Sequence, residues 1–177
     1  MKVKLIVAIA VLIIILPVAW YLVSPVFRVV EINESSPFND RLDKMDSKAM
    51  ANFTKEVDAM KDKSVEIDDS MPSGTKVLSK ADFMPRAHDV KGKAFLIEKD
   101  GKKIIRFENF MTINGPDLHI YLSSELGDAD YIDLGKIKAT KGNVNYEVPA
   151  GVNIKKYNRL LVWCQPFQVL FSYASFS

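Results

Sequence analysis

From Val3 to Val23 the chain is apolar, with Lys4 near its start as the one charged side chain. As a helix, at about 1.5 Å per residue, that run is about 30 Å long, the thickness of a bilayer's hydrocarbon core. A secretory signal peptide is the competing reading, but its apolar stretch is shorter and ends in a small-x-small cleavage site. Here Pro17-Val18-Ala19 is followed by Trp20, Tyr21, Leu22 and Val23, so the apolar run outlasts a cut at that point. The expectation is an uncleaved signal-anchor, with a kink at Pro17 that a bilayer tolerates. Lys2 and Lys4 stand at its N-terminal edge, whereas Ser24, Pro25, Arg28 and Glu31 follow it. The positive-inside tendency then places the N-terminus in the cytoplasm and the rest of the chain outside, with Trp20 and Tyr21 at the outer interface. The expected location is the cell membrane, single-pass, with residues 1–23 as cytoplasmic tip and anchor and the lipid bilayer as the first partner.

The full chain has 177 residues, enough for the anchor, a connecting segment and one domain of ordinary size. Its 24 basic and 22 acidic residues leave a net charge of +2, which gives no electrostatic case for nucleic acid. Cys164 is the single cysteine, so an intramolecular disulfide and four-cysteine metal or cluster frameworks are excluded.

Residues 24–73 are expected to form a stalk. Within it Leu42, Met45, Ala49, Phe53, Val57 and Met60 recur at steps of three and four, one apolar stripe on a helix. Ser36-Pro37 offers an N-cap with proline at the first helical position, which sets the helix at about 37–63. Asp68, Asp69, Pro72 and Gly74 break the pattern. The stripe serves either as a partner surface or as a face packed against the protein's own domain; the second is the usual fate of such a stripe. The stripe does not fix an oligomeric state. Asn33-Glu34-Ser35 and Asn52-Phe53-Thr54 are glycosylation sequons, relevant where the host glycosylates exported proteins.

Beyond Gly74 short runs of Val, Ile, Leu, Phe and Tyr alternate with turn residues. The clearest unit is a hairpin of 94–98 and 103–109 around Asp100-Gly101, a pair that accepts the positive φ angles of a tight turn. That turn sets Glu98 opposite Lys103. Further strands are expected at 118–123, 131–137, 143–148, 159–165 and 168–176. The fold class is therefore mainly β, an antiparallel β-sandwich of about seven or eight strands over residues 74–177. Strands do not alternate with helices, which argues against a Rossmann-type sheet.

Chemical signals are sparse. Glycine-rich phosphate loops, H-E-x-x-H and G-x-S-x-G are absent from the sequence. Asp128, Asp130 and Asp133 form an acidic cluster, but an EF-hand loop needs an oxygen ligand where Ile132 stands, so a solvated loop is the better reading. His88 and His119 have no metal-ligand spacing, and no metal is expected. His119 alternates with Leu118 and Ile120 and so faces away from their apolar row. Cys164 sits in Leu160-Leu161-Val162-Trp163-Cys164-Gln165-Pro166-Phe167. A reactive or ligating cysteine needs a lowered pKa or a metal, whereas burial among such neighbours raises it, so a small buried hydrophobe is the local reading.

Several fragments, in order, are similar to the DM-thirteen domain, an electron-transfer type distantly like DOMON domains. They are His88-x-Val90-x-Gly92-x-Ala94, Arg106-Phe107-Glu108-Asn109-Phe110, Asn114-Gly115-Pro116-Asp117-Leu118-His119-Ile120-Tyr121, and Val162-Trp163-Cys164-x-x-Phe167-x-Val169-x-Phe171. The resemblance implies an extracytoplasmic β-sandwich and a redox cysteine, Cys164, acting as a bare thiol or as a ligand to a bound group. Haem is one such group; on that reading His88 or His119 supplies a second contact, and Trp163 and Phe167 line the pocket. Any electron partner is then a separate molecule. The alternative is a non-catalytic ligand-binding or adhesion module of the cell envelope, acting through its end loops. On either reading the chain is not expected to be a stand-alone enzyme.

Overall fold

The computed structural model describes residues 2–37 and 75–177. One long helix, α1 (Lys2–Val23), carries Pro17 inside it and runs into a 3-10 turn, Ser24–Phe27. No residue of its most apolar stretch is buried against the rest of the protein. By length and composition the stretch Val3–Phe27 suits a single-pass anchor, as it also suits a signal sequence.

Ten strands follow among the described residues, in two five-stranded sheets. The first sheet has the order β1 (Glu31–Asn33), β8 (Lys141–Val148), β5 (Lys102–Thr112), β4 (Val90–Lys99), β2 (Thr75–Asp82). The second has the order β3 (Met84–Pro85), β10 (Val169–Ser175), β9 (Arg159–Cys164), β6 (Leu118–Ser123), β7 (Tyr131–Lys136). Every pairing is antiparallel except that of β1 with β8. The Asp100-Gly101 hairpin forms in the expected register, Glu98 opposite Lys103, with φ of 49° and 75° at the two turn residues.

The count exceeds the seven or eight strands expected, because β1, β2 and β3 join the sheets. β1 lies inside the segment expected to be stalk, so the sandwich begins only a few residues beyond the helix. The expected amphipathic helix at about 37–63 lies, from residue 38 onward, outside the described residues, as does the sequon at Asn52.

The core lies between the sheets. Leu96, Ile105, Phe107, Phe110, Val144 and Tyr146 from the first sheet meet Ile120, Leu122, Leu160, Val162, Cys164 and Phe171 from the second. Phe107 and Phe110 are three apart and on a regular strand would point to opposite faces. A β-bulge resets the phase: Asn109 takes a φ of 51°, and both rings enter the core against Phe83. Gly92 lies across from this bulge with a φ of 112°, where a Cβ would sit 2.7 Å from the Glu108 carbonyl oxygen. A side chain has no room there.

Arg106 is nearly buried and ties the N-terminal segment to the sheet. Its Nη1 donates to the carbonyls of Glu34 and Ser35 and to Asn145 Oδ1 at 3.1–3.2 Å, and its Nε pairs with Glu108 at 2.9 Å.

Candidate functional site

Strand β9 delivers Cys164 to the end of the sandwich nearest the helix. Its alternation points Leu160, Val162 and Cys164 into the core, and Leu161 and Trp163 to the outer face. Cys164 pairs with Leu118 on one side and Val169 on the other and has no exposed surface. Its thiol donates to the Pro116 carbonyl oxygen at 3.2 Å. Burial pushes the thiol pKa up; the Phe167 backbone N–H opposes this, and the charge of Asp117 adds to it. The thiol is thus protonated at neutral pH, and no cation stands among the groups that shift it.

The cover over the sulfur is the 114–117 loop. Asn114 folds it, accepting from Gly115 N–H at 2.9 Å and donating its side-chain amide to the Arg28 carbonyl at 3.2 Å. Gly115 abuts the Phe171 ring so closely that a Cβ would lie 2.8 Å from Phe171 Cζ. The His88 ring packs on that phenyl, tilted by 59° with 4.1 Å between centroids, and its backbone N–H donates to the Phe171 carbonyl at 3.2 Å. His88, Gly115, Pro116, Phe171 and Cys164, scattered over more than seventy positions of sequence, therefore form one layered assembly.

The other expected site residues lie elsewhere. His119 faces outward beside Trp163, its partner in the register. Its Nδ1 is 2.8 Å from Asp133 Oδ2 and its Nε2 is 3.5 Å from Asp117 Oδ1. Lys136 Nζ reaches the same Asp117 oxygen at 2.6 Å, and this hydrogen bond, above all, holds the Asp117 carboxyl below its ordinary value. Trp163 joins Tyr121, Leu161 and Leu170 in a second cluster on the outer face. Tyr121, stacked on Tyr131 at 4.1 Å and hydrogen-bonded by Gln165 at 2.8 Å, is pushed up to about 12, chiefly by burial. Phe167 projects from the 165–168 turn with half its surface in solvent.

A haem pocket framed by Cys164, His88, His119, Trp163 and Phe167 is not what this arrangement offers. Cys164 points into the core while His119 and Trp163 occupy the opposite face of the same sheet, so these donors do not converge on one space. The residues do not fit the group. Among the described residues no three His, Cys, Asp or Glu side chains are grouped to hold a metal ion. Asp130 of the acidic cluster is engaged by Tyr157 and Lys156, and Asp133 by His119, so the cluster is spent on local bonds.

Reasoning from sequence did not single out Phe171, Pro116 or the Asp117–Lys136 pair. Phe171 and Asp117 stood inside the motif fragments; the role of Pro116 is a backbone oxygen, which no side-chain pattern reports.

Comparison with known proteins gives one match. The model of a protein family described as "Electron transfer DM13" matches residues 82–176, the whole of the assembly above and most of both sheets. No curated protein and no solved structure matches the chain.

Proposed function

The chain belongs to the electron transfer DM13 family, and from that membership we propose a membrane-anchored, extracytoplasmic redox module in which Cys164 is a latent thiol. It is silent while the 114–117 loop covers it and reactive only when the loop lifts. The observation that carries this reading is the hydrogen bond from Cys164 to the Pro116 carbonyl. The last barrier over the sulfur is a loop rather than a strand, and local openings of loops cost less than global unfolding. Few contacts hold that cover: the Asn114 side chain on Arg28, the Gln165 N–H on the Asp117 carbonyl, and the Asp117–Lys136 pair. Once uncovered, the sulfur loses the burial that raises its pKa and gains thiolate character. The anchor and the outward orientation are supported by the helix, uncharged from Leu5 to Val23, and by the two lysines in its first turn. The redox partner is a separate molecule that meets the uncovered end.

The test is thiol labelling of the native full chain in detergent at increasing urea. A latent thiol labels slowly, with a shallow dependence on urea, because only the loop opens. A urea dependence as steep as that of global unfolding refutes latency.

The complete burial of Cys164 favours a second reading, a packing cysteine in a non-catalytic binding module. A Cys164→Ala protein that folds and supports the wild-type phenotype decides for it.

A further inference from the structure

The span between the helix and the sandwich is unusually short and is fastened along its length. Only residues 28–30 separate the turn ending at Phe27 from β1. Fully extended, three residues reach about 10 Å. The headgroup layer on each side of a bilayer's hydrocarbon core is itself about 5–8 Å thick. Nor is the span slack. The Arg28 carbonyl accepts from Asn114, Val30 N–H donates to Thr140 Oγ1 at 3.0 Å, and the Val30 carbonyl accepts from Thr140 N–H at 2.9 Å. If the helix spans the bilayer, the near end of the sandwich has nowhere to be except against the headgroups.

That end is built for such a place. Phe27 and Val29 are 78% and 73% exposed and continue the apolar surface of the helix toward the domain. Met111 and Ile113 are exposed in one groove with Val29, and Met84 is exposed next to Pro85, which lines the same groove. A groove of about 590 Å³ is lined by Val26, Val29, Val90, Met111 and Ile113. Arg28, Lys91 and Lys141 line it against a single carboxylate, Asp89, and Arg86 follows Pro85 of the same lining; among the described residues Arg28, Arg86 and Lys91 have no carboxylate partner. Apolar side chains at the tip with unpaired cations around them match the acyl boundary and the anionic headgroups respectively. A protein partner offers no such reason for the apolar surface to be continuous with the helix.

We infer that the helix-proximal end of the sandwich is a lipid-contact face: Phe27, Val29, Met111 and Ile113 enter the interface, and Arg28, Arg86 and Lys91 bind anionic headgroups. This rests on the anchor reading above, and the test separates the two.

The full, unsubstituted chain, labelled with ¹³C at its methionine methyls, is reconstituted into nanodiscs of phosphatidylcholine with or without phosphatidylglycerol, each doped with a lipid bearing a paramagnetic headgroup. Met84 and Met111 report the face, assigned by single Met→Leu changes. The expected result is selective broadening of both methyls, at least twofold greater in the anionic discs, and lost together with that lipid dependence in an Arg86→Glu/Lys91→Glu protein. Extraction of the chain by alkaline carbonate would sink the anchor reading. Retention of the chain with both methyls unbroadened overturns the lipid-contact face alone. Broadening indifferent to lipid charge and to the double substitution overturns the assignment of anionic headgroups.

Discussion

Gly115→Ala is the sharpest probe of the loop over Cys164. Gly115 has no positive φ, so alanine suits its backbone, and the whole effect is steric. The new methyl would sit 2.8 Å from Phe171 Cζ, 3.1 Å from Phe171 Cε2 and 3.1 Å from Leu118 Cδ2. Phe171 has little room to retreat, since it is buried in the core and the His88 ring packs on it at 4.1 Å. Overpacking of this kind costs about 1–3 kcal/mol. Lifting the loop relieves the clash, so the strain falls on the closed state and the opening equilibrium rises by about 5- to 150-fold. When reclosing outpaces chemistry, thiol labelling follows that equilibrium and accelerates by the same factor. The assay is maleimide labelling of the native full chain, read by intact mass, beside a Gly127→Ala control. Gly127 has only its neighbour Glu125 near the site of a Cβ, from 3.7 Å outward, so this control should label at the wild-type rate. Labelling of Gly115→Ala at the wild-type rate would refute the loop as the cover. Acceleration matched one for one by loss of global stability would refute local opening.

Two further outcomes follow from the same geometry. The folded state raises the pKa of Cys164 above its ordinary 9.0 and that of Tyr121 to about 12, so the native protein holds protons that the unfolded chain gives up. Their contribution is intact below about pH 9 and lost as pH rises, through the cysteine range first and the tyrosine range next. Urea midpoints from pH 7 to 11 should fall above pH 9, and a Cys164→Ala protein should lose less between pH 9 and 10 than the wild type; an identical fall in both would show that the thiol is not perturbed. Arg106→Met removes three donated bonds to Glu34, Ser35 and Asn145 and leaves the Glu34 carbonyl to find water, Ser35 keeping its bond from Asn145 Nδ2, a loss of about 2–4 kcal/mol. Hydrogen exchange should quicken at residues 30–35 before the remaining strands respond.

What the sequence made legible was whatever depends on near neighbours. The Asp100-Gly101 turn dictated its own hairpin, and the Glu98–Lys103 register followed because the turn counts residues for the strands. β6 lay in plain alternation between turn residues. β1 was not legible: three residues of Glu-Ile-Asn carry little pattern, and what makes them a strand is pairing with β8, Glu31 against Lys141, across more than a hundred positions. β3 was hidden for a similar reason, two residues held only by β10. At the site, the apolar neighbours of Cys164 foretold its burial and raised pKa correctly. Trp163 was placed in a shared pocket with it because they adjoin in a motif. The pleat of a strand sends adjacent side chains to opposite faces, and that rule, applied at this pair, separates them.

The family's fragments, read in order along the chain, look like separate signatures. In the fold they resolve into backbone duties and one chemical group. Gly92 and Asn109 form the bulge that turns Phe110 inward; Gly115 lets its loop close on Phe171; His88 packs on that ring. All this support converges on the place where the Pro116 carbonyl meets the thiol. Filling a gap between sheets calls for no such acceptor, since an alanine or valine fills a gap equally well. An acceptor matters only to a group with a proton to hold, and the pieces around it fix where that acceptor sits. The cover also closes the end from which the helix departs, tied to Arg28 by Asn114. If that end rests on lipid and Cys164 is the redox thiol proposed above, displacement of the 28–30 segment at the membrane surface would loosen the cover, and a partner would reach the sulfur along the bilayer rather than from open solvent.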